Sequence, residues 1–133
     1  AEMGHDDTLV LADANFTAMS LSAGKPIVRL PGVGMLRAVQ AVTSLLPLAS
    51  DIPHPVACMQ VGGTEAPYRS ALQRDVAGHL NDLLAPGASM MGIDRYAFYD
   101  AVKRAYAIVV TGERQPWGNF IFHKGVIGDT LVP

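Results

Sequence analysis

The feature that most constrains this chain is a series of short apolar runs, each cut off by turn residues and separated by stretches of helical periodicity. The runs are Thr8-Leu9-Val10-Leu11-Ala12, Pro26-Ile27-Val28-Arg29-Leu30, Val56-Ala57-Cys58-Met59-Gln60-Val61, Ala107-Ile108-Val109-Val110-Thr111 and Asn119-Phe120-Ile121-Phe122. At that length they fit strands, the first of them buried on both faces. Between them, Met35, Leu36, Val39, Val42, Leu45 and Leu46 recur every three or four positions and predict a helix from Gly34 to about Leu46. Tyr68, Leu72, Val76, Leu80, Leu83 and Leu84 predict a second, entered through Pro67 in its first turn. Asp94 opens a third, running to about Arg104. Pro31-Gly32, Gly62-Gly63 and Pro86-Gly87 supply the stops. Short strands alternating with helices predict an α/β fold around a mainly parallel sheet.

The 133 residues fit one domain, since domains commonly run to about 100 to 150. Cys58 is the one cysteine, which excludes a disulfide scaffold. The balance of 10 basic against 12 acidic residues, with no basic cluster, argues against nucleic acid as the ligand. No apolar run approaches the roughly 20 residues of a bilayer span. The start lacks the basic and apolar regions of a signal peptide, so a cytoplasmic location is expected. Charged residues make up 17% of the chain, below the roughly 25% usual for a soluble domain, which suggests a subunit that covers surface by self-association. Ala1-Glu2-Met3-Gly4 reads as the tail of a helix closed by glycine, with something missing upstream.

Ligands of open α/β sheets sit beyond the carboxyl ends of strands, which draws attention to Asp13 and Asn15 after the first run. Asp13 has two readings at this stage, a hydroxyl-binding carboxylate or a residue closing a turn. His5, beside Asp6 and Asp7, suits proton transfer near neutral pH or a solvated turn. His54, His79 and His123 read as structural or exposed. No histidine or carboxylate pair has metal-ligand spacing, so no metal is expected. Pro31-Gly32-Val33-Gly34 lacks the remaining residues of a dinucleotide or phosphate loop and reads as a tight turn. There is no nucleophile elbow, and Cys58 lies within an apolar run, so nucleophilic catalysis has no candidate. The densest mixtures of aromatic, basic and amide groups are Ile93 to Tyr99 and Thr111 to Asn119. Arg95 offers fixed donors, Trp117 an apolar face, and Asn119 both donors and an acceptor. This combination suits a sugar, although Arg95 paired with Asp94 or Asp100, and Trp117 as core or interface filler, fit equally well.

Glu2-Met3-Gly4-His5-Asp6-Asp7, Ala12-Asp13-Ala14-Asn15-Phe16, Ile93-Asp94-Arg95-Tyr96-Ala97-Phe98-Tyr99, and Ala107 to Arg114 continuing through Trp117-Gly118-Asn119 and Lys124-Gly125-Val126 resemble the RbsD/FucU family. The resemblance is closer to its L-fucose mutarotase branch than to its D-ribose pyranase branch. It implies a single three-layer α/β/α domain over residues 1–133 without its usual N-terminal helix, and interconversion of sugar anomers without a cofactor. It also implies homo-oligomers, often decamers. Carried over by position, His5 matches the proton-donor histidine, Asp13 and Arg95 match substrate-binding residues, and Trp117, Gly118 and Asn119 occupy the Tyr-Gly-Asn substrate segment. Two departures stand out. Asp6 replaces a glycine of the family's His-Gly-Asp, though Asp7 keeps the aspartate, and Trp117 replaces the tyrosine. An indole can stack and donate one hydrogen bond, but it cannot exchange a proton as a phenol does.

The expected mechanism follows. His5, oriented by Asp7 or Asp6, shuttles a proton during opening of the cyclic hemiacetal, which is worth about 10² to 10⁴-fold. Asp13, Arg95 and Asn119 hold the hydroxyls, and Trp117 packs on the sugar, with Tyr96, Phe98 and Trp117 suited to the methyl of a 6-deoxy sugar. The alternatives are a non-catalytic monosaccharide-binding protein and a pyranase.

Overall fold

The computed structural model describes residues 3–127. In chain order the elements are β1 (Thr8–Ala12), α1 (Ala18–Leu21), β2 (Ile27–Leu30), α2 (Met35–Thr43) and β3 (Val56–Met59). They continue with α3 (Ala71–Leu80), β4 (Met90–Ile93), α4 (Arg95–Lys103), β5 (Ala107–Thr111) and β6 (Phe120–His123). The six strands form one sheet in the order β2-β5-β1-β6-β3-β4. All neighbours are parallel except β6, which runs antiparallel to both β1 and β3.

Side chains alternate across this sheet with the period of two that extended backbone imposes. Val10, Ala12, Ala57, Ile108, Val110 and Ile121 face α1 and α4 around Phe98 and Val102. Leu11, Val56, Cys58, Val109, Phe120 and Phe122 face α2 and α3 around Met35, Val76 and Leu80. The chain is therefore a three-layer α/β/α domain, and β1 is buried on both faces as expected, with β3 and β5 buried likewise. Among the described residues no helix is long and apolar enough to cross a membrane.

Several expectations change. The second long helix does not start in the turn of Pro67 but at Ala71, because Ser70 and Gln73 form a reciprocal capping box, and it ends at Leu80 rather than Leu84. The run Met90–Ile93, which sequence reading passed over, is a strand at the sheet edge. The four-residue helix α1 was likewise passed over. Of the helix tail expected over Ala1 to Gly4, Ala1 and Glu2 lie outside the described residues, and Met3 and Gly4 are not helical.

Candidate functional site

Because five strands run the same way, their carboxyl ends share one edge, and the reversal of β6 brings its beginning to that edge too. Asp13 follows β1 there, Thr111 and Glu113 close β5, β4 delivers Arg95 as the first residue of α4, and Trp117-Gly118-Asn119 leads into β6. Asp13, Asn15, Phe16, Thr17, Met59, Arg95, Tyr99, Pro116, Trp117 and Asn119 line an open cleft of about 260 Å³.

Asp13 is the hub. It is almost fully buried, at 3% exposure. Its backbone N–H donates to Asn119 Oδ1 (2.8 Å), while its own carboxylate accepts from Asn15 N (3.0 Å) and Gly118 N (3.2 Å). The turn-closing reading is thus correct, and the same residue also lines the cleft. Burial pushes its carboxyl above the usual carboxylate range, opposed by the hydrogen bonds from Asn15, Gly118 and Asn119 and reinforced by the charge of Glu113. Asn119 presents its oxygen to the Asp13 N–H, and its side-chain amide also hydrogen-bonds the Asp13 carboxyl, so the two side chains form one polar unit at the cleft.

Glu113 ties the loop above the site. Its Oε1 accepts from Met35 N at the start of α2 (3.0 Å), and its Oε2 accepts from Arg114 N and Gln115 N (both 3.1 Å). Thr111 Oγ1 donates to Ala12 O (2.9 Å) and accepts from Glu113 N (3.1 Å), locking the ends of β1 and β5 together.

Asp94 caps α4 by accepting from Tyr96 N (2.9 Å) and Ala97 N (3.0 Å), and the guanidinium of Arg95 turns instead toward aromatic faces. It sits 5.5 Å from the Trp117 ring centroid and 6.0 Å from that of Tyr96. Among the described residues Arg95 makes no salt bridge. Trp117 packs partly buried against the core layer beneath α1 and α4 and also borders the cleft, and its ring approaches Gly62 so closely that a side chain there would collide with it. Its backbone is left-handed, with φ of 63°.

Two of the aromatic residues expected at the sugar do not reach the cleft. Phe98 is fully buried beneath Phe16, and Tyr96 is exposed at 71%. Phe16, Met59 and Tyr99 take their place, with Tyr99 edge-on to Phe16 at 5.9 Å between centroids.

The histidine lies elsewhere. His5 precedes β1 whereas Asp13 follows it, and the five residues of that strand alone span about 16 Å. His5 is exposed at the amino edge, where Nε2 stands 3.2 Å from Asp51 Oδ2. Asp6 and Asp7, the expected orienting carboxylates, have other partners. Asp6 takes a left-handed φ of 68°, which explains the glycine usual at this position, and its carboxylate meets His123 Nδ1 at 2.9 Å. Asp7 folds back to accept from Gly4 N (2.8 Å). Next to this turn a cavity of about 320 Å³ is lined by Asp6, Asp7, His54, Arg104 and His123 among others, without His5.

One protomer therefore brings together Asp13, Arg95, Trp117, Gly118 and Asn119, and leaves His5 and Asp7 apart. Sequence reading missed Asp51, 46 positions from its partner, for which no local signal exists. It also missed Gln73, although Ser70-x-x-Gln73 ahead of an apolar stripe is a visible capping-box pattern. Cys58 is buried in β3, and burial pushes its thiol up, as expected of an inert thiol.

A charged and amide edge set on an α/β/α sandwich, open to a small polyhydroxylated ligand, defines the class. The chain matches the RbsD / FucU transport protein family over residues 1–127 and belongs to it. It is 36% identical over 130 residues to a fucose mutarotase of Bos taurus, a match covering 96% of this chain and 84% of the relative. The FucU of Bifidobacterium longum superposes with a TM-score of 0.84 at 33% identity, covering 94% of this chain and 89% of that one. A fucose mutarotase of Streptococcus pneumoniae, solved in complex with L-fucose, superposes with a TM-score of 0.79 at 32% identity, covering 94% and 86%.

Proposed function

We propose that the protein is a sugar mutarotase, an isomerase that interconverts the α and β anomers of a monosaccharide by opening and reclosing its ring, with L-fucose as the substrate and no cofactor. The observation that carries this reading is the convergence of Asp13, Arg95 and Asn119 with an indole face in one cleft at the carboxyl edge. Equatorial and axial hydroxyls need directional partners, supplied by a carboxylate, a guanidinium and a side-chain amide. Their C–H faces and a 6-deoxy methyl need apolar surface, supplied by Phe16, Met59, Tyr99 and Trp117. The curated and structural relatives named as fucose mutarotases support the same substrate class.

Ring opening needs one proton delivered to the ring oxygen and one removed from the anomeric hydroxyl; the aldehyde then rotates and recloses. His5 is the group matched to that transfer, and its distance from Asp13 along β1 means that it acts in the cleft of a second copy. The working unit is accordingly a homo-oligomer, in the manner of a ring or decamer, in which the amino edge of one subunit meets the carboxyl edge of the next. Asp51, rather than Asp6 or Asp7, orients the imidazole.

Saturation-transfer NMR across fucose, ribose, galactose and rhamnose tests the activity, and protein that accelerates no anomer exchange refutes it. Mixing two inactive variants, His5→Ala and Arg95→Ala, tests the shared site. Recovery of exchange on mixing is expected, because some interfaces then pair an intact His5 with an intact Arg95. A non-catalytic sugar-binding protein is the second reading, favoured by one observation, that the cleft of a single protomer holds no imidazole. Sugar binding without accelerated exchange decides for it.

A further inference from the structure

Gln73 is fully buried on α3, a helix that contributes no side chain to the cleft. A buried primary amide must satisfy two donors and an acceptor, and here all three are committed. Gln73 Oε1 accepts from Ser70 N (3.0 Å), closing the capping box. Its Nε2 donates to Met59 O at the end of β3 (2.8 Å) and to Trp117 O (3.1 Å). The capping box needs only the first of these bonds. The other two reach across to the site.

The bond to Trp117 acts on one peptide plane. The carbonyl of Trp117 and the N–H of Gly118 belong to the same rigid amide. Gln73 holds its oxygen, and Asp13 Oδ2 accepts from its nitrogen at 3.2 Å. That plane is pinned at both ends immediately after a tryptophan in the left-handed region, a conformation that bulky residues adopt only where their surroundings enforce it. Released from Gln73, the plane can rotate about Trp117 ψ and Gly118 φ, the strained backbone of Trp117 can relax with it, and the indole leaves its place between Gly62 and Arg95. Leu72, the residue before Gln73, seats the same segment from below, within 2.8 Å of where a side chain on Gly118 would begin.

The geometry points to Gln73 as a positioning residue that sets the orientation of the Trp117 ring, and through it the affinity of the cleft for the apolar face of a sugar. This rests on the sugar reading above. It assigns to a buried amide on α3 the task of holding the cleft's tryptophan in an orientation that the backbone alone disfavours.

Trp117 is the one tryptophan of the chain, so its fluorescence reports on this contact directly. Gln73→Met keeps the volume and removes the donors, and Ser70→Ala weakens the helix cap while leaving the bond to Trp117 in place. In Gln73→Met, folded by circular dichroism, Trp117 emission shifts to the red and acrylamide quenches it more strongly. KM for the exchanged sugar rises about tenfold, while the exchange rate at saturating sugar stays within about threefold. Ser70→Ala melts earlier but keeps the parent emission and KM. Should Gln73→Met not fold, Gln73→Glu, which keeps the bond from Ser70 and sets a carboxylate against two carbonyls, is expected to show the same red shift. Parent-like emission and KM in whichever Gln73 variant folds overturn the proposal, as does a Ser70→Ala variant that reproduces both changes. A parent that neither binds nor exchanges any sugar overturns the sugar reading and this proposal with it. A parent that does both beside an unaltered Gln73 variant overturns this proposal alone.

Discussion

At the carboxyl edge of the sheet the principal carboxylate, Asp13, is 3% exposed and tied by three hydrogen bonds to Asn15, Gly118 and Asn119. At the amino edge the polar groups stand in two pairs near the surface, His5 with Asp51 and Asp6 with His123. The difference teaches how the two ends of one sheet can be built to different specifications. On the proposed reading, the carboxyl edge recognises hydroxyls, and such groups must be fixed before the ligand arrives, which burial and backbone partners provide. On the same reading, the amino edge supplies the proton carrier, an exposed imidazole that a second copy can approach.

The sharpest way to break this contrast is at His5. His5→Ala is expected to slow anomer exchange by about 10² to 10⁴-fold while sugar still quenches Trp117 emission, measured by saturation-transfer NMR beside a fluorescence titration. Equal loss of binding and exchange would show that the edges are not divided in this way. The next largest effect is expected from Asn119→Ala, which leaves the buried N–H of Asp13 without its acceptor. That costs about 1 to 3 kcal/mol, read as a lower urea midpoint, and weakens sugar binding as well.

A smaller effect separates the edges by pH. Burial raises the carboxyl of Asp13 in the folded state, so over the pH range just above the ordinary aspartate value the folded chain holds a proton that the unfolded chain has released. Stability therefore falls as pH rises through that range and levels off above the raised value, and Asp13→Asn removes this component of the fall. Melting curves in a pH series check it. The smallest effect belongs to Asp6→Gly. It relieves a left-handed aspartate and gives up the surface contact between Asp6 and His123, worth about 0 to 1 kcal/mol, so the two changes nearly cancel and the melting temperature barely moves.

Much of this arrangement is legible in the residues. The continuous apolar run at β1 announces a strand covered on both faces, those at β3 and β5 announce strands, and Asp94 announces the start of α4. The edge strand β4 is not legible in this way, because Met90-Met91-Gly92-Ile93 has a glycine in its middle and little β-branched content, and its pairing with β3 depends on distant chain. The start of α3 is misjudged when Pro67 is weighed above the pair Ser70 and Gln73. At the site, Asp13, Arg95 and Asn119 stand out because each is a polar residue at a strand end or helix start. That His5 and Asp13 cannot share one protomer's cleft also follows from the strand between them. Which carboxylate accompanies His5 does not, since Asp51 arrives from a loop with no pattern of its own.

The single thiol, Cys58, lies at the centre of the sheet with no exposure. A thiol reagent can reach it only when β3 separates from β4 and β6, so the rate of modification counts openings of the sheet rather than events at its rim. A ligand that binds only the closed chain must slow that reaction in proportion to its occupancy. Sugar affinity can then be read chemically, at a residue the sugar never touches.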